Sequence, residues 1–293
     1  MLSVKQNQII LLKDIVHNNC VFSDGVGRIS QDLADQIVAK LNQKNGPTAF
    51  QFRLGGAKGV LAVDRKMQPG MIAIRPSQMK FKTEHKILEI NKCAMFNKVA
   101  LNYQVISILE TLDVPDESFL QLLTEMEDSL SDMMQDADKA RAVLWNMSEG
   151  PGVCRDLARV VEAGFFDRGD PYVMNALAVM RASHLKDARE RSKLPVAKGG
   201  SFLGVLDEYD VLEENQVFIQ YGDGETPDQT VVGDVMVYRT PCLHPGDVRM
   251  CTAVDHPELR SLRNVVVFSS KGKQSVPSMC GGGDLDGDYF RYS

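Results

Sequence analysis

Three aspartates at alternate positions, Asp284, Asp286 and Asp288, follow a run of three glycines near the end of the sequence. In an extended or tightly looped backbone, alternate side chains point to the same side. The three carboxylates are therefore predicted to converge, and they would repel one another unless a cation lay among them. Oxygen ligands of this kind suit hard divalent ions, Mg²⁺ above all. Glycines add no side-chain bulk, so a large anionic substrate could approach the backbone closely. The stretch is predicted to be a metal-binding catalytic loop.

Three other interpretations of this stretch make different demands on the flanking residues. An EF-hand needs glycine at position 6 of its loop and glutamate at position 12, whereas Tyr289 stands at position 6 and the sequence stops at Ser293. Phosphatases with an Asp-x-Asp-Gly-Thr nucleophile motif need an apolar strand where Cys280 and the glycines stand here. A solvated Asp-Gly turn without function stays open for any isolated Asp-x-Asp. The third carboxylate and the glycine run favour the metal loop over that turn.

Composition and charge narrow the class of protein. The chain has 293 residues, of which 44% are hydrophobic and 25% are charged, which is typical of a soluble globular protein with one large or two ordinary domains. A net charge of −6 argues against a basic protein that simply coats nucleic acid. This net charge is compatible with an enzyme that binds nucleic acid in a local basic groove.

The cysteines and the N-terminus indicate an intracellular protein. No signal peptide or membrane span is predicted, because the only apolar run near the start is 9–12. The cysteines show neither a C-x-x-C pair nor zinc spacing, and we expect reduced thiols. There are six of them: Cys20, Cys93, Cys154, Cys242, Cys251 and Cys280.

Hydrophobic periodicity predicts two β-rich blocks on either side of a helical block. In the first block, Ser30 is predicted to be the N-cap of a helix with an apolar face at 33–41. The middle block is acidic at 110–138 and basic after 180; solvated helix faces are the default interpretation, and a partner surface or RNA contact is the alternative. Strands are predicted at 49–53, 60–63, 71–75, 202–206, 216–221, 231–239 and 264–268, and helices at 105–109, 115–133, 140–147, 154–164 and 171–191.

Joining nucleotides requires cationic side chains as well as metal-binding carboxylates, because a triphosphate and a nucleic-acid backbone must be held in place. Candidates lie in both β-rich blocks, and three of the lysines adjoin glycines, which suits close approach of phosphates. Each Gly-Lys pair alone is more often an exposed turn, and His244 alone is more often a structural hydrogen-bonding residue. The candidates are Arg53, Lys58 and Lys80 in the first block, and Arg239, His244, Arg249, Lys271 and Lys273 in the second.

Six motifs in a fixed order give the sequence a resemblance to a known family, the cell-encoded eukaryotic RNA-dependent RNA polymerases of RNA silencing. The resemblance runs from about residue 20 to 290. The motifs are Phe22-Ser-Asp-Gly-Val-Gly-Arg-Ile-Ser, Arg53-Leu-Gly-Gly-Ala-Lys-Gly-Val, Arg75-Pro-Ser-Gln-Met-Lys-Phe, Leu206-Asp-Glu followed by Gln216-Val-Phe-Ile-Gln, Pro241-Cys-Leu-His-Pro-Gly-Asp-Val-Arg, and Gly283-Asp-Leu-Asp-Gly-Asp.

The resemblance implies an α+β fold with two double-psi β-barrels separated by a helical connector. Residues 1–98 would form the first barrel, 99–197 the connector, and 198–293 the second barrel with the metal loop. Family members continue well beyond this loop, so we expect a core portion that is truncated at the C-terminus.

The resemblance also implies the activity: Mg²⁺-dependent copying of single-stranded RNA into double-stranded precursors of small interfering RNAs, with Mn²⁺ as an alternative ion. Asp284, Asp286 and Asp288 would hold the metal, and the seven lysines and arginines and the histidine named above would face the ribonucleoside triphosphates and the RNA. Implied partners are a Dicer-type nuclease, an Argonaute protein or a helicase, in the cytoplasm or nucleus and without a membrane. The alternative hypothesis is a catalytically silent RNA-binding scaffold.

Overall fold

The computed structural model describes residues 2–42, 46–83, 85–147, 152–222 and 227–293. The chain divides into two compact units, one formed by Met1–Asn97 together with Gly200–Ser293 and the other by Lys98–Gly199. The two β-rich blocks therefore belong to one unit. The assignment of three domains stays a prediction. No helix in the described ranges has both the length and the apolarity needed to cross a bilayer.

The first block consists mainly of an open seven-stranded sheet. Its elements are Leu2–Ser3 (β1), Ile9–Leu11 (β2), Val16–His17 (β3), Cys20–Val21 (β4), Val26–Ser30 (β5), Gln31–Lys40 (α1), Ala49–Leu54 (β6), Ala57–Asp64 (β7), Ile72–Ile74 (β8) and Ile87–Cys93 (β9). The strand order is β1-β9-β6-β7-β5-β8-β2, and β3 and β4 form a separate hairpin. Two pairs are parallel, β5 with β7 and β2 with β8.

Helix α1 packs its apolar face against this sheet, with Leu33 and Ile37 buried. Ser30 directly precedes the helix, as the sequence predicts, but its side chain does not cap it. Its hydroxyl oxygen accepts a hydrogen bond from the backbone N–H of Met71 at 3.1 Å. The reason is that Ser30 is also the last residue of β5, where the neighbouring strand segment offers an unpaired donor.

Strands β6 and β7 form a tight hairpin. The predicted alternation in β6 is confirmed: Phe50, Phe52 and Leu54 are buried, while Arg53 is exposed. Gly55 and Gly56 make the turn with φ of +54° and +81°. Positive φ at both central residues matches the twist of the flanking strands, and glycine adopts it without steric cost.

The middle block is helical, as predicted from its periodicity. Its elements are Ala100–Leu101 (β10), Tyr103–Thr111 (α2), Asp116–Asp132 (α3), Ala137–Met147 (α4), Val153–Glu162 (α5), Pro171–Arg191 (α6) and Leu194–Pro195 (β11). Asp170 caps α6 by accepting hydrogen bonds from two backbone N–H groups, and Pro171 occupies the first helical position. The core of this unit contains Met126, Leu130, Met133, Leu144, Leu157, Val173 and Leu177.

The second β-rich block closes into a barrel. Its elements are Gly200–Leu206 (β12), Gln216–Tyr221 (β13), Gln229–Thr230 (β14), Gly233–Arg239 (β15), Arg249–Ala253 (β16), Val265–Phe268 (β17), Val276–Met279 (α7) and Tyr289–Tyr292 (β18). The order is β14-β13-β16-β15-β18-β12-β17, and β17 pairs back onto β13. Six strands thus form a closed ring, and the α+β fold expected from the sequence is confirmed, with an open half-barrel in the first block.

The largest hydrophobic core is shared by the two β-rich blocks. Phe22, Val26 and Val60 of the first block lie in the same cluster as residues of the barrel. Leu285, which stands between two of the aspartates, is also buried in this core with 1% of its surface exposed. Burial of one such side chain stabilises the fold by about 1.5–3 kcal/mol. The aspartate loop is therefore fixed to the core by one of its own residues.

A buried ion-pair network also connects the two blocks. The Arg75 guanidinium, 2% exposed, forms a two-pronged pair with the Glu208 carboxylate, with both N···O distances 2.8 Å. Arg28 lies 3.5 Å from the same carboxylate and 3.0 Å from Asp64. The Tyr209 hydroxyl donates to Asp64 at 2.8 Å. Glu208 and Tyr209 belong to the second block and the other three residues to the first.

Candidate active site

The aspartate loop lies between two anchors in the barrel core. The short helix α7 leads into buried Cys280, and Phe290 of β18, which is fully buried, follows the loop. Leu285 points into the core between them. Asp284, Asp286 and Asp288, all three half-buried, are thereby held on a short, well-anchored loop.

Each aspartate carboxylate has its own partner. The Asp284 carboxylate accepts from the backbone N–H of Asp286 at 3.2 Å, and that of Asp288 accepts from the backbone N–H of Asp284 at 3.1 Å. The Asp286 carboxylate pairs with the Lys58 ammonium at 2.6 Å. Within the described ranges, no group of three or more carboxylate, imidazole or thiol side chains is arranged to hold a metal ion. The carboxylates of Asp286 and Asp288 are nevertheless close enough to act electrostatically on Asp284, and their joint binding of a metal stays a prediction.

The electrostatics of the loop nevertheless favour a cation. The pKa of Asp284 is raised to about 6, mainly by burial; the hydrogen bond from the Asp286 N–H lowers it, and the nearby carboxylates of Asp286, Asp288 and Asp24 raise it. Burial likewise raises the pKa of Asp24, to which Asp14 and Asp286 also contribute. Carboxylates at such a site are stabilised by positive charge. Their oxygen atoms are the donors that Mg²⁺ and Mn²⁺ prefer, so the donor set fits a hard divalent ion.

The turn at Asp24 and Gly25 lies directly against the aspartate loop. The backbone N–H of Leu285 donates to the carbonyl of Asp24 at 2.7 Å. A Cβ atom on Gly25 would lie 2.4 Å from the Cβ of Asp286, and Gly25 has a φ of +86°. Gln51 contributes a further contact, since its side-chain amide lies 3.4 Å from the Asp286 carbonyl. Only glycine can therefore occupy position 25 while Asp286 keeps its place.

Sequence reasoning did not assign Asp24, Gly25 or Gln51 to the site. Gly25 was predicted only to mark a tight turn. The available signal was the Asp-Gly pair within the first of the six motifs. Nothing in the sequence indicates that this turn meets a loop more than two hundred residues away.

Lys58 connects the aspartate loop to an open cationic pocket. The pocket has a volume of about 280 Å³ and is lined by the β6–β7 hairpin and by Lys80, Phe81, Thr83, His85, Ile87 and Glu89. Arg53, Lys58 and Lys80, the three basic residues predicted in the first block, all line it. Hydrogen bonding to Asp286 and the charge of that carboxylate raise the pKa of Lys58, which is thereby kept cationic. The cationic pocket and the aspartate loop thus share one lysine.

Arg239 lies at the other side of the aspartate loop and holds its backbone. Its Nη2 donates to the Gly281 carbonyl at 2.6 Å, and its Nε to the Cys280 carbonyl at 3.3 Å. The same Nε lies 3.5 Å from the Asp288 carboxylate. Arg239 therefore contacts both the beginning and the end of the loop, and its contacts indicate a role in shaping it.

His244 and Arg249 lie on the segment that precedes and begins β16. His244 is exposed, and its Nδ1 accepts from the backbone N–H of Gly246 at 2.9 Å, which caps a single 3₁₀ turn. The Asp247 carboxylate in this turn approaches Gly281, since a Cβ there would lie 3.5 Å from it. Arg249 is half-buried opposite Val237 in β15. In the described part of the chain neither residue contacts the aspartates.

Lys271 and Lys273 lie beside acidic residues rather than in the pocket. The Lys271 ammonium pairs with the Glu213 carboxylate at 2.9 Å, and Asp210 is 3.8 Å away. The backbone N–H of Lys273 donates to Glu214 at 3.3 Å. These contacts are those of a paired surface loop, and a direct role in binding phosphate stays a prediction for both lysines.

Comparison with known proteins gives one consistent family. The family model described as "RNA dependent RNA polymerase" matches residues 1–291. A probable RNA-dependent RNA polymerase, SHL2, from Oryza sativa subsp. japonica is 36% identical over 94% of this chain and 24% of its own length. RNA-dependent RNA polymerase 1 from Schizosaccharomyces pombe is 37% identical over 96% of this chain and 25% of its own length. The chain thus spans about a quarter of these two relatives.

A solved structure has the same fold. The RNA-dependent RNA polymerase QDE-1 from Thielavia terrestris matches 99% of this chain and 36% of its own chain, with a TM-score of 0.82 and 25% sequence identity. The fold of this chain is therefore one that a known polymerase contains.

Proposed function

Because the chain belongs to the RNA-dependent RNA polymerase family, we propose that it carries the catalytic core of an enzyme that copies single-stranded RNA by RNA-templated nucleotidyl transfer. The observation that carries the proposal is the 2.6 Å contact between Lys58 of the cationic pocket and Asp286 of the aspartate loop. It joins a phosphate-binding surface to a carboxylate site. A nucleotidyltransferase needs both within reach of one substrate.

The carboxylates of Asp284, Asp286 and Asp288 would hold Mg²⁺, with Mn²⁺ as the alternative. Bound there, the ion would supply activation of the attacking 3′-hydroxyl and neutralisation of the pyrophosphate leaving group. Since two of the carboxylates now contact Lys58 and Arg239, binding of the ion requires these contacts to be exchanged.

The cationic residues of the pocket have a separate task. Arg53 and Lys80 line the pocket and make no salt bridge within 4 Å in the described ranges; the charge of Lys80 also acts on the Asp24 carboxylate at longer range. They would hold the triphosphate and the RNA backbone, with Arg53 suited to two-pronged contact with a phosphate. Lys58 would neutralise either Asp286 or a phosphate, depending on which is next to it.

The biological role follows from the resemblance alone. Double-stranded RNA for small interfering RNA production is the product that the resemblance implies, in the cytoplasm or the nucleus. A Dicer-type nuclease, an Argonaute protein or a helicase would be the partners. DNA is a second candidate template, because active sites of this kind contact mainly the phosphates of a nucleic acid.

One observation favours a second candidate function, an RNA-binding scaffold without catalysis. The aspartates are paired with cationic side chains, and the described residues include no ready-made group of three metal ligands. The cationic pocket would bind RNA in either case. Metal binding separates the two functions.

The test is incorporation of labelled ribonucleotides on a single-stranded RNA template with Mg²⁺. Asp286→Asn should abolish incorporation while the variant still binds RNA, because the pocket is intact. Asp210→Asn is the matched control: Asp210 also accepts a lysine contact, to Lys271, but lies outside the site. Incorporation by Asp286→Asn at the rate of the unmodified chain would refute the proposal. RNA binding with neither metal binding nor incorporation would support the scaffold.

A further inference from the structure

The pocket that holds the three cationic residues also carries a large exposed aromatic ring. Phe81 lines the pocket beside Lys80, and 65% of its surface is exposed. A phenylalanine left this open keeps most of its apolar surface in contact with water. Single exposed apolar residues are common on protein surfaces, so exposure alone assigns nothing. What distinguishes Phe81 is how it is held and what surrounds it.

The backbone at Phe81 is fixed against the glycine turn of the β6–β7 hairpin. The N–H groups of Lys80 and Phe81 both point to the Gly56 carbonyl, at 3.0 and 3.5 Å. A Cβ atom on Gly56 would lie 2.0 Å from the Phe81 carbonyl oxygen and 3.2 Å from a carbon of its ring. The ring thus stands beside a turn without side chains. An aromatic ring on a fixed backbone, next to open space, is the geometry of a stacking platform.

The charges around the ring select the kind of molecule that could cover it. Arg53, Lys58 and Lys80 line the same pocket, and Glu89 is the one carboxylate among the lining residues that the structure describes. Glu89 lies opposite Arg53 across the β6–β9 pair without forming an ion pair within 4 Å in the described ranges. An occupant must therefore combine a flat apolar face with negative charge. A nucleotide of single-stranded nucleic acid has both, since its base has a π-face and its backbone carries phosphates.

We propose that Phe81 stacks on a base of the single-stranded RNA while Arg53 and Lys80 bind the adjoining phosphates. The inference rests on the proposed function and adds the part of the substrate that this pocket recognises. Stacking accepts any base, because every base presents a π-face. Phe81 would thus hold the strand without reading its sequence, as a polymerase that copies many RNAs requires.

The test compares Phe81→Ala, Phe81→Leu and Phe81→Trp in binding a single-stranded RNA that contains the fluorescent base 2-aminopurine. Loss of a stacking contact weakens binding about 5- to 150-fold. We expect this loss in the alanine and leucine variants, and rescue by tryptophan. Quenching of 2-aminopurine on binding should persist with phenylalanine or tryptophan and disappear with leucine. Tyr172→Ala, which removes an equally exposed aromatic ring (70%) from helix α6, is the matched control and should change neither signal.

Salt dependence separates stacking from charge. Lys80→Gln should lower the slope of log K against log salt concentration by about 0.7, the value for one phosphate contact on a single strand. The Phe81 variants should keep the slope and lose affinity equally at every salt concentration. Unchanged RNA affinity in Phe81→Ala would overturn the inference, and so would quenching of 2-aminopurine by Phe81→Leu equal to that by the unmodified chain. The proposed function would stand in either case, provided that the unmodified chain binds RNA and incorporates ribonucleotides. A change confined to the KM for ribonucleoside triphosphates would overturn the assignment to the RNA strand. Failure of the unmodified chain to bind single-stranded RNA would overturn both.

Discussion

Removing the charge of Glu208 should destabilise the β-rich unit far more than removing any surface charge. Glu208→Gln keeps the shape of the side chain but takes away the carboxylate that faces the Arg75 guanidinium at two distances of 2.8 Å. Arg75 is 2% exposed and so cannot turn to water. Two backbone carbonyls, of Lys13 and Val26, remain as its acceptors. They satisfy hydrogen bonds but carry no net charge.

The magnitude follows from that geometry. Breaking a buried ion pair by removing one partner costs about 3–5 kcal/mol, because the remaining charge is left uncompensated in a poorly solvated place. Arg28, 3.5 Å from the same carboxylate, loses part of its compensation as well, although Asp64 still pairs with it. The side-chain oxygen of the glutamine can still accept one hydrogen bond from Arg75, so we expect a loss at the lower end of this range, about 3 kcal/mol. For a unit of this size class that corresponds to a fall in Tm of about 6–12 °C.

The measurement is thermal and urea unfolding of Glu208→Gln against the unmodified chain. Glu258→Gln is the control, since Glu258 also pairs with a first-block cation, Lys66, but both partners are exposed; its Tm should stay close to the original. Replacing both Arg75 and Glu208 by methionine should recover much of the loss, because the buried guanidinium that lacked its counter-charge is then gone, while Asp64 keeps its pair with Arg28. If Glu208→Gln unfolds at the same temperature as Glu258→Gln, the buried pair does not hold the two blocks together.

Three further predictions concern the aspartate loop and its surroundings. Gly25→Ala should reduce nucleotide incorporation at least about tenfold, because the added methyl group would lie 2.4 Å from the Cβ of Asp286; an active variant with unchanged Tm would contradict the contact. Arg239→Gln should loosen the loop that its guanidinium holds at 2.6 Å from the Gly281 carbonyl, seen as faster proteolysis after Cys280 with Tm nearly unchanged; equal protection would contradict the role. Burial raises the pKa of Cys251 to about 11 and that of Cys280 to about 12. At pH 8 the thiolate fraction, and with it the rate of reaction with iodoacetamide, should therefore be lower in the folded protein than in urea by about 100-fold for Cys251 and about 1000-fold for Cys280. Because both pKa values are higher in the folded than in the unfolded protein, the protonated thiols contribute fully to the free energy of unfolding below pH 9, and this contribution is lost as the pH rises towards 11. A urea-unfolding midpoint that stays constant from pH 8 to 11 would contradict this.

Local patterns in the sequence were sufficient to predict most of the elements. The spacing of apolar residues after Pro115 gave helix α3, observed at Asp116–Asp132, and Pro171 gave the start of α6. Strand β13 was predicted with its observed bounds, Gln216–Tyr221. These features depend on neighbours within one or two turns, which periodicity records.

Contacts between distant segments could not be predicted in the same way. The contact of Gly25 with Asp286 and the pair of Arg75 with Glu208 each join the two β-rich blocks. Periodicity records which face of a strand is buried, but not which strand lies next to it. Closure of the barrel through the β13–β17 pair is a property of the same kind.

The candidate site was predicted unevenly for a related reason. Arg53, Lys58 and Lys80 do line one pocket, since the β6–β7 hairpin and the Gly56 contact bring them together. Lys271 has the same signal, an adjoining glycine, yet it pairs with Glu213. A glycine next to a lysine reports that the backbone is accessible, not what the ammonium group faces.

The most direct test of the metal loop is cleavage of the chain by bound iron. Fe²⁺ exchanged for Mg²⁺ generates hydroxyl radicals with ascorbate and peroxide, and these cut the backbone close to the ion. The contacts of Asp286 with Gly25 and Gln51 predict cuts at 284–288, near 25 and near 51, all absent in Asp286→Asn and present in Asp210→Asn. Cuts that persist in Asp286→Asn, or that fall at 210–214 instead, would contradict a metal site at the aspartate loop.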